Sequence, residues 1–383
     1  MTNGRHIIHL DLDSFFVSVE RLRNTSLVGK PILIGGNSDR GVVASCSYEA
    51  RKYGVSSAMP MRMAKILCPD AIVVRGDMEV YSQYSNMVTD IIDEAAPLYE
   101  KASIDEHYID ITGMDRFFGC VQWTTELRQR IIRETGLPMS LGLSPNKTVS
   151  KIATGEAKPS GQLQVESERV RPFLNPLSIA KIPMLGQKSY QLLRNMGVAL
   201  IETLSAMPVE MMVRVLGENG RSIWEKANGI DYAPVIPYTE RKSIGAERTF
   251  EKDTTDIVMI NELLVTMVEE LCYTLRSKQK LASCITVKIR YSNFDTHTTQ
   301  MRIPYTASDH VLIAKARELF KKLYERRMLI RLVGVRLSHL VQGHPQINLF
   351  EDTTEMVSLY QAIDRLKNRF GESAVIRAVG VGG

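Results

Sequence analysis

Cysteine is scarce: five residues among 383, odd in number, far apart and without a Cys-x-x-Cys pair, support neither a disulfide framework nor a thiolate zinc site. A reducing compartment is expected. No stretch approaches eighteen consecutive apolar residues, which argues against a membrane-spanning helix. The first twenty residues carry Asp11, Asp13 and Glu20 and lack the apolar run of a secretion leader, so a soluble cytoplasmic protein is expected. Strong net charge is missing too, since 48 Lys+Arg against 43 Asp+Glu leave +5. What is present is apolar mass: 44% hydrophobic residues over this length can fill two or more domain cores, and wholesale disorder is excluded.

The opening segment from Ile7 to Asp13 alternates like a strand, with Ile8, Leu10 and Leu12 on one face and Ile7, His9, Asp11 and Asp13 on the other. Helical spacing follows from Ser14 to Leu22. Residues 30 to 80 mix short apolar runs with Gly35-Gly36 and Gly54 and carry a polar cluster from Tyr48 to Tyr53, the pattern of a small subdomain. Helices are expected over 81–95 and 122–135, one strand over 99–112 and another over 140–143, giving an α+β core in roughly the first 165 residues. From 167 to 231 short helices are punctuated by glycine, as in helical hairpins. Residues 232–242, with Pro234 and Pro237, read as a linker. A second α+β unit follows over 243–341, with helices at 257–277 and 308–327 and strands at 284–291, 298–303 and 332–340. Residues 242–341 hold 17 Lys+Arg and 11 Asp+Glu, so the positive charge is concentrated here. That fits either a solvated face or a surface that tracks a polyanion.

Two acidic groups stand next to apolar strand residues: Asp11 with Asp13, and Asp105 with Glu106. Carboxylates on neighbouring strands suit hard cations such as Mg²⁺, and two such ions can clamp both oxygens of a phosphoryl transfer. The bland alternative is a pair of solvated strand faces. A strict strand would send Asp105 and Glu106 to opposite sides, so joint metal binding requires a turn or bulge there.

Taken in order, Asp11-Leu12-Asp13-Ser14-Phe15-Phe16, Tyr48-Glu49-Ala50-Arg51, Ser103-Ile104-Asp105-Glu106, Ala157-Lys158-Pro159-Ser160-Gly161, Lys242-Ser243-Ile244-Gly245 and Gln346-Ile347-Asn348-Leu349-Phe350 resemble the motif set of Y-family translesion DNA polymerases, most closely the bacterial DNA polymerase IV class. The resemblance spans nearly the whole chain. It implies a multidomain α+β right hand: palm at 1–21 and 79–166, fingers at 22–78, a helical thumb with helix-hairpin-helix turns at 167–231, a linker at 232–242, a C-terminal α+β little finger at 243–341 and a tail at 342–383. The implied activity is template-directed, error-prone synthesis past damaged bases, from dNTP to a primer 3′-hydroxyl, without proofreading.

Carried onto this sequence, the resemblance gives Asp11, Asp105, Glu106 and the Leu12 backbone carbonyl as ligands of two Mg²⁺ ions, with Mn²⁺ as a possible substitute. Asp13 matches an acidic position outside the ligand set. Tyr48, Arg51 and Lys158 match triphosphate contacts, and Phe16 matches the steric gate that leaves no room for a ribose 2′-hydroxyl. Val42, Ala44 and Ala58 match the small residues above the nascent base pair, where an open site discriminates less by shape. In the first thumb hairpin the usual Gly-Ile-Gly is Met184-Leu185-Gly186, which weakens the expected approach to phosphate. Gln346, Leu349 and Phe350 match the pentapeptide by which bacterial polymerases dock on the sliding clamp. The implied partners are primer-template DNA, dNTPs and that clamp, with the polymerase itself a monomer. Helical spacing over 356–370 has no assigned role.

Two other readings compete. Asp11-Leu12-Asp13 after an apolar strand also resembles the first motif of haloacid-dehalogenase-type phosphatases, which need a doubly wound sheet and leave the basic unit unexplained. A catalytically inactive DNA- or clamp-binding scaffold would have no reason to keep Asp11, Asp105 and Glu106 together.

Overall fold

The structure, a computed structural model, describes residues 4–38, 40–114, 119–343, 354–371, 374, 375 and 377. The chain forms two compact units, Met1–Thr239 and Glu240–Gly383, and the boundary falls inside the expected linker.

The first unit opens with strand β1 (Ile7–Leu12) and helix α1 (Phe15–Arg23), joined at Ser14, whose φ of 43° puts a sharp turn directly after the acidic strand. Strands β2 (Ile32–Ile34) and β3 (Ser45–Cys46), helices α2 (Tyr48–Arg51) and α3 (Met61–Leu67), and strand β4 (Ile72–Val74) make the small subdomain, a three-stranded sheet in the order β3-β2-β4. Then come α4 (Met78–Ala95), β5 (Tyr99–Lys101), β6 (Glu106–Asp110), α5 (Cys120–Thr135), β7 (Met139–Ser144), α6 (Lys147–Ala157) and β8 (Gln162–Gln164). The main sheet runs β5-β6-β1-β7-β8. On one face Ile8, Leu10 and Leu12 pack in a core with Tyr81, Val88 and Ile92 of α4 and Leu127 and Ile131 of α5. Helix α6, capped by the Asn146 side chain accepting from the Val149 N–H at 2.9 Å, covers the other face. Gly142 of β7 makes that packing possible, because a Cβ there would come within 2.3 Å of the Ser150 carbonyl oxygen.

Two differences from the sequence reading matter. The single strand expected over 99–112 is a hairpin, β5 and β6 pairing antiparallel with a turn between them. Ser103 makes the turn: its Oγ donates to Asp105 Oδ1 at 2.5 Å and accepts from the backbone N–H of Glu106 at 3.0 Å. And β1 is antiparallel to both neighbours, β6 and β7, so the doubly wound parallel sheet of the phosphatase reading is absent among the described residues.

Five short helices follow: α7 (Val170–Leu174), α8 (Gln187–Asn195), α9 (Ile201–Ser205), α10 (Val209–Leu216) and α11 (Glu218–Ala227). They share a core of Val170, Leu174, Leu193, Ile201, Leu204 and Ile223. The missing glycine of the first hairpin has a visible cost. Met184 takes a left-handed φ of 70° with its side chain 82% exposed, a conformation that costs a non-glycine residue about 1–2 kcal/mol.

The second unit contains β9 (Ser243–Thr254), α12 (Ile257–Ser277), β10 (Lys280–Tyr291), β11 (Thr296–Thr306), α13 (Asp309–Leu323), β12 (Ile330–Gln342) and α14 (Thr354–Phe370). Its sheet runs β11-β10-β12-β9, antiparallel throughout. Ile285, Val287 and Ile289 of β10 and Val333, Val335 and Leu337 of β12 face a core shared with α12 and α13. The alternate positions, including Thr286, Lys288, Gln300 and Arg336, line an open polar groove of about 880 Å³ on the other face. Strand β9 was not foreseen, and the second helix ends at Leu323 rather than 327.

The helical tail with no expected role is docked on this unit through its polar side. Arg276 of α12 donates to Asp364 of α14 (2.7 and 2.9 Å) and to Asp309 of α13 (2.5 Å), and its guanidinium lies 4.9 Å from the Tyr360 ring centre. Among the described residues no helix is long and apolar enough to cross a membrane.

Candidate active site

The β1–β6 register sets Asp11 opposite Glu106, and the Leu12 N–H donates to the Asp105 carbonyl oxygen at 3.0 Å. The turn made by Ser103 thus supplies the break that joint use of Asp105 and Glu106 required. All three carboxylates, with the Leu12 backbone, gather at one end of the β1–β6 pair.

Each carboxylate has its own partner. Asp11 is paired by the Lys158 ammonium. Lys151, from the middle of α6, straddles both oxygens of Glu106 at 2.6 and 2.7 Å. His9 Nε2 faces Glu106 from 3.7 Å. Because Asp11 is turned to Lys158, Glu106 to Lys151 and Asp105 to Ser103, no three acidic, histidine or cysteine side chains among the described residues surround one point.

Burial pushes the Asp11 carboxyl up to about 7, with the charges of Glu106 and Asp105 adding to it and Lys158 opposing. For Glu106 burial acts upward as well, but the donors of His9 and Lys151 outweigh it and hold the carboxyl well below the usual range. Three carboxylates at one sheet end, one of them reluctant to ionise beside the others, form a donor set that suits a hard divalent cation.

Asp13, which the resemblance leaves outside the ligand set, has partners of its own. It follows the last residue of β1, is buried, and accepts from Ser140 Oγ (2.9 Å), the Ser160 N–H (2.6 Å) and the Tyr48 hydroxyl (3.1 Å). It therefore ties the subdomain carrying Tyr48 to the loop carrying Lys158. Burial and the Asp13 carboxylate raise the Tyr48 phenol, which stays a donor. The Arg51 guanidinium lies 4.9 Å from the Tyr48 ring centre and is exposed.

Phe16 is half-buried and stacks on Tyr81, centroids 4.3 Å apart and planes 12° from parallel. Tyr81 is fully buried, and its hydroxyl donates to Glu20 Oε1 at 2.8 Å. Val42, Ala44 and Ala58 are all exposed on the subdomain, where the Ala58 N–H donates to the Val43 carbonyl at 2.9 Å and brings the two segments side by side. Gln346, Leu349 and Phe350 lie outside the described residues.

Sequence reasoning missed Lys151, Tyr81 and the clasp around Asp13. A signal existed for the first: Asn146 is a helix cap residue, and Lys151, Thr154 and Lys158 recur at i, i+3 and i+7, a stripe facing the acidic strand.

The model of the impB/mucB/samB family matches residues 10–155, and that of the impB/mucB/samB family C-terminal domain matches residues 241–349. The chain is similar to a protein named DNA polymerase IV from Dehalococcoides mccartyi strain CBDB1, 35% identical over 375 residues, covering 97% of this chain and 96% of the relative. Among solved structures, a Y-family DNA polymerase chimera of Dbh and Dpo4 superimposes with a TM-score of 0.78 at 26% identity, over 88% of this chain and 99% of that one. An insertion ternary complex of Dbh DNA polymerase gives a TM-score of 0.62 at 26% identity over the same shares.

Proposed function

This chain belongs to the impB/mucB/samB family of Y-family DNA polymerases and is an error-prone, translesion DNA-directed DNA polymerase, and from that premise we propose how its own residues do the work. Asp11, Asp105 and Glu106, with the Leu12 carbonyl, would hold two divalent cations, Mg²⁺ by the hardness of the oxygens and Mn²⁺ as a substitute. Such a pair, when bound, acidifies a primer 3′-hydroxyl and neutralises charge on the leaving pyrophosphate. The observation that carries this reading is the Asp11–Glu106 cross-strand pair with Asp105 brought beside it by the Ser103 turn.

Tyr48, Arg51 and Lys158 donate to the triphosphate of the incoming dNTP, and Asp13 keeps Tyr48 and the Lys158 loop in register for it. Phe16, supported by Tyr81, closes the space that a ribose 2′-hydroxyl would take. Val42, Ala44 and Ala58 roof the nascent pair with little side-chain bulk, so mispairs and damaged bases meet few contacts that reject them. The palm, fingers, thumb and little finger follow the ranges given above. In the little finger the polar sheet face with Lys288 and Arg336 tracks duplex phosphates without reading sequence. Gln346, Leu349 and Phe350 dock on the sliding clamp, a weak anchor made useful by effective concentration on DNA. The polymerase works as a monomer in the cytoplasm, whose reducing conditions suit five buried cysteines that form no disulfide.

The test is extension of a primer on an undamaged template with Mg²⁺ and four dNTPs, comparing the intact protein with Asp105→Asn and Glu106→Gln. Extension is expected only from the intact protein while all three bind the primer-template. Substantial extension by either variant refutes the assignment.

A further inference from the structure

Two lysines neutralise the carboxylates of the site, and they are held differently. Lys151 projects from the middle of α6 and engages both oxygens of Glu106. Lys158 stands just past the last residue of α6 and pairs with Oδ1 of Asp11 only; both side chains are partly exposed, 24% for Lys158 and 34% for Lys151. Two residues on, its loop is pinned: the Ser160 N–H donates to Asp13 Oδ2 at 2.6 Å, and Arg128 Nη2 donates to the Ser160 carbonyl at 2.6 Å. The base of the Lys158 side chain is thereby fixed, while its four-carbon stem can swing its ammonium over several ångströms.

An ammonium ion and a divalent cation placed on one carboxylate compete for it. A triphosphate offers an ammonium more negative charge and more acceptor oxygens than a single carboxylate does, so it can draw Lys158 away. We propose that Lys158 is a shared counterion: it neutralises Asp11 in the free polymerase and passes to the incoming triphosphate, so that nucleotide binding uncovers Asp11 for metal. Metal therefore binds the free enzyme weakly and the nucleotide-loaded enzyme tightly. By linkage, metal raises nucleotide affinity through this lysine by the same factor. Lys151 is not among the residues proposed to meet the triphosphate, so its pairing with Glu106 is not what the nucleotide changes. The inference rests on the proposed metal-binding role of Asp11 and adds to it an order of loading: without a nucleotide the site keeps its own cation in place of a metal.

The experiment titrates the full chain with Mn²⁺, followed by loss of the free-ion electron paramagnetic resonance signal, without nucleotide and with a non-hydrolysable dNTP analogue. No turnover is involved. Without nucleotide, Lys158→Gln is expected to bind Mn²⁺ about tenfold more tightly than the intact protein, within the range of ordinary site-to-site coupling. The tightening caused by the analogue should shrink in Lys158→Gln by that same factor. Lys151→Gln removes an equal charge from the neighbouring carboxylate and should keep the analogue-induced tightening intact. The proposal is overturned if Lys158→Gln binds Mn²⁺ no more tightly than the intact protein, or if the analogue tightens binding equally in both. Asp11→Asn separates the two levels of the argument: Mn²⁺ binding unchanged by that substitution would overturn the metal role of Asp11 and the counterion role with it. Binding lost in Asp11→Asn but not tightened in Lys158→Gln would overturn the counterion role alone.

Discussion

Replacing Tyr81 tests whether sugar discrimination depends on a residue that touches no substrate. The Phe16 ring lies on Tyr81 at 4.3 Å and 12°, and Tyr81 is itself buried and anchored by its hydroxyl to Glu20. Tyr81→Phe keeps the ring and removes only the hydroxyl. Glu20 then retains Arg23 at 3.4 Å, so the cost is a lost hydrogen bond to a charged group, about 1.5–3 kcal/mol of stability, with discrimination unchanged. Tyr81→Leu also removes the floor under the gate. Loss of an aromatic pair is worth about 0.5–1.5 kcal/mol beyond lost burial, so the closed position of Phe16 becomes roughly two- to tenfold less favoured. The ratio of kcat/KM for a dNTP over the matching ribonucleotide should fall by that factor and no more. The assay is single-nucleotide insertion with both sugars, run beside Phe16→Ala, which is expected to lose far more discrimination. A folded Tyr81→Leu protein that discriminates like the intact one, while Phe16→Ala does not, would refute the supporting role. Relaxed discrimination in Tyr81→Phe would refute the ring-stacking account of it.

Two further perturbations follow from packing. Gly142→Ala sets a Cβ 2.3 Å from the Ser150 carbonyl oxygen and 2.7 Å from the Thr154 nitrogen, both backbone atoms of α6, so the helix must shift, at about 1–3 kcal/mol. Because Lys151 sits on α6 and Lys158 next to it, extension should fall together with the thermal midpoint; extension unchanged in the folded variant would show that α6 need not be seated this closely. Arg276→Leu leaves Asp309, only 5% exposed, with Arg377 alone at 3.9 Å and takes from Asp364 the cation the two share, a loss of up to about 3 kcal/mol. Limited proteolysis should then cut α14 early, and protection of α14 equal to that in the intact protein would mean that Arg276 does not hold it.

Much of the architecture could be read along the chain because it rests on local periodicity. Ile8, Leu10 and Leu12 do bury together while His9 and Asp11 share the opposite face, and the helix expected at 257–277 has those bounds. Reading failed where a turn lacked its usual residues. Ala102 and Ser103 interrupt 99–112 without glycine, proline or asparagine, and the turn depends on one serine hydroxyl that periodicity does not register. Strand β9 was missed for a related reason: its burial alternates only weakly, with Phe250 the one buried residue in the run.

Residue types and their order along the chain determined that acidic strand ends, an ordered set of family motifs and a basic α+β unit would occur in this protein. The tertiary structure decided which cation meets which carboxylate. Asp11 and Lys158 are 147 positions apart, Glu106 and Lys151 45, and Phe16 meets Tyr81 across two helices. Contacts at such separation follow from how α6 seats over Gly142 and how α1 meets α4, and a period of two or of 3.6 residues carries no information about either.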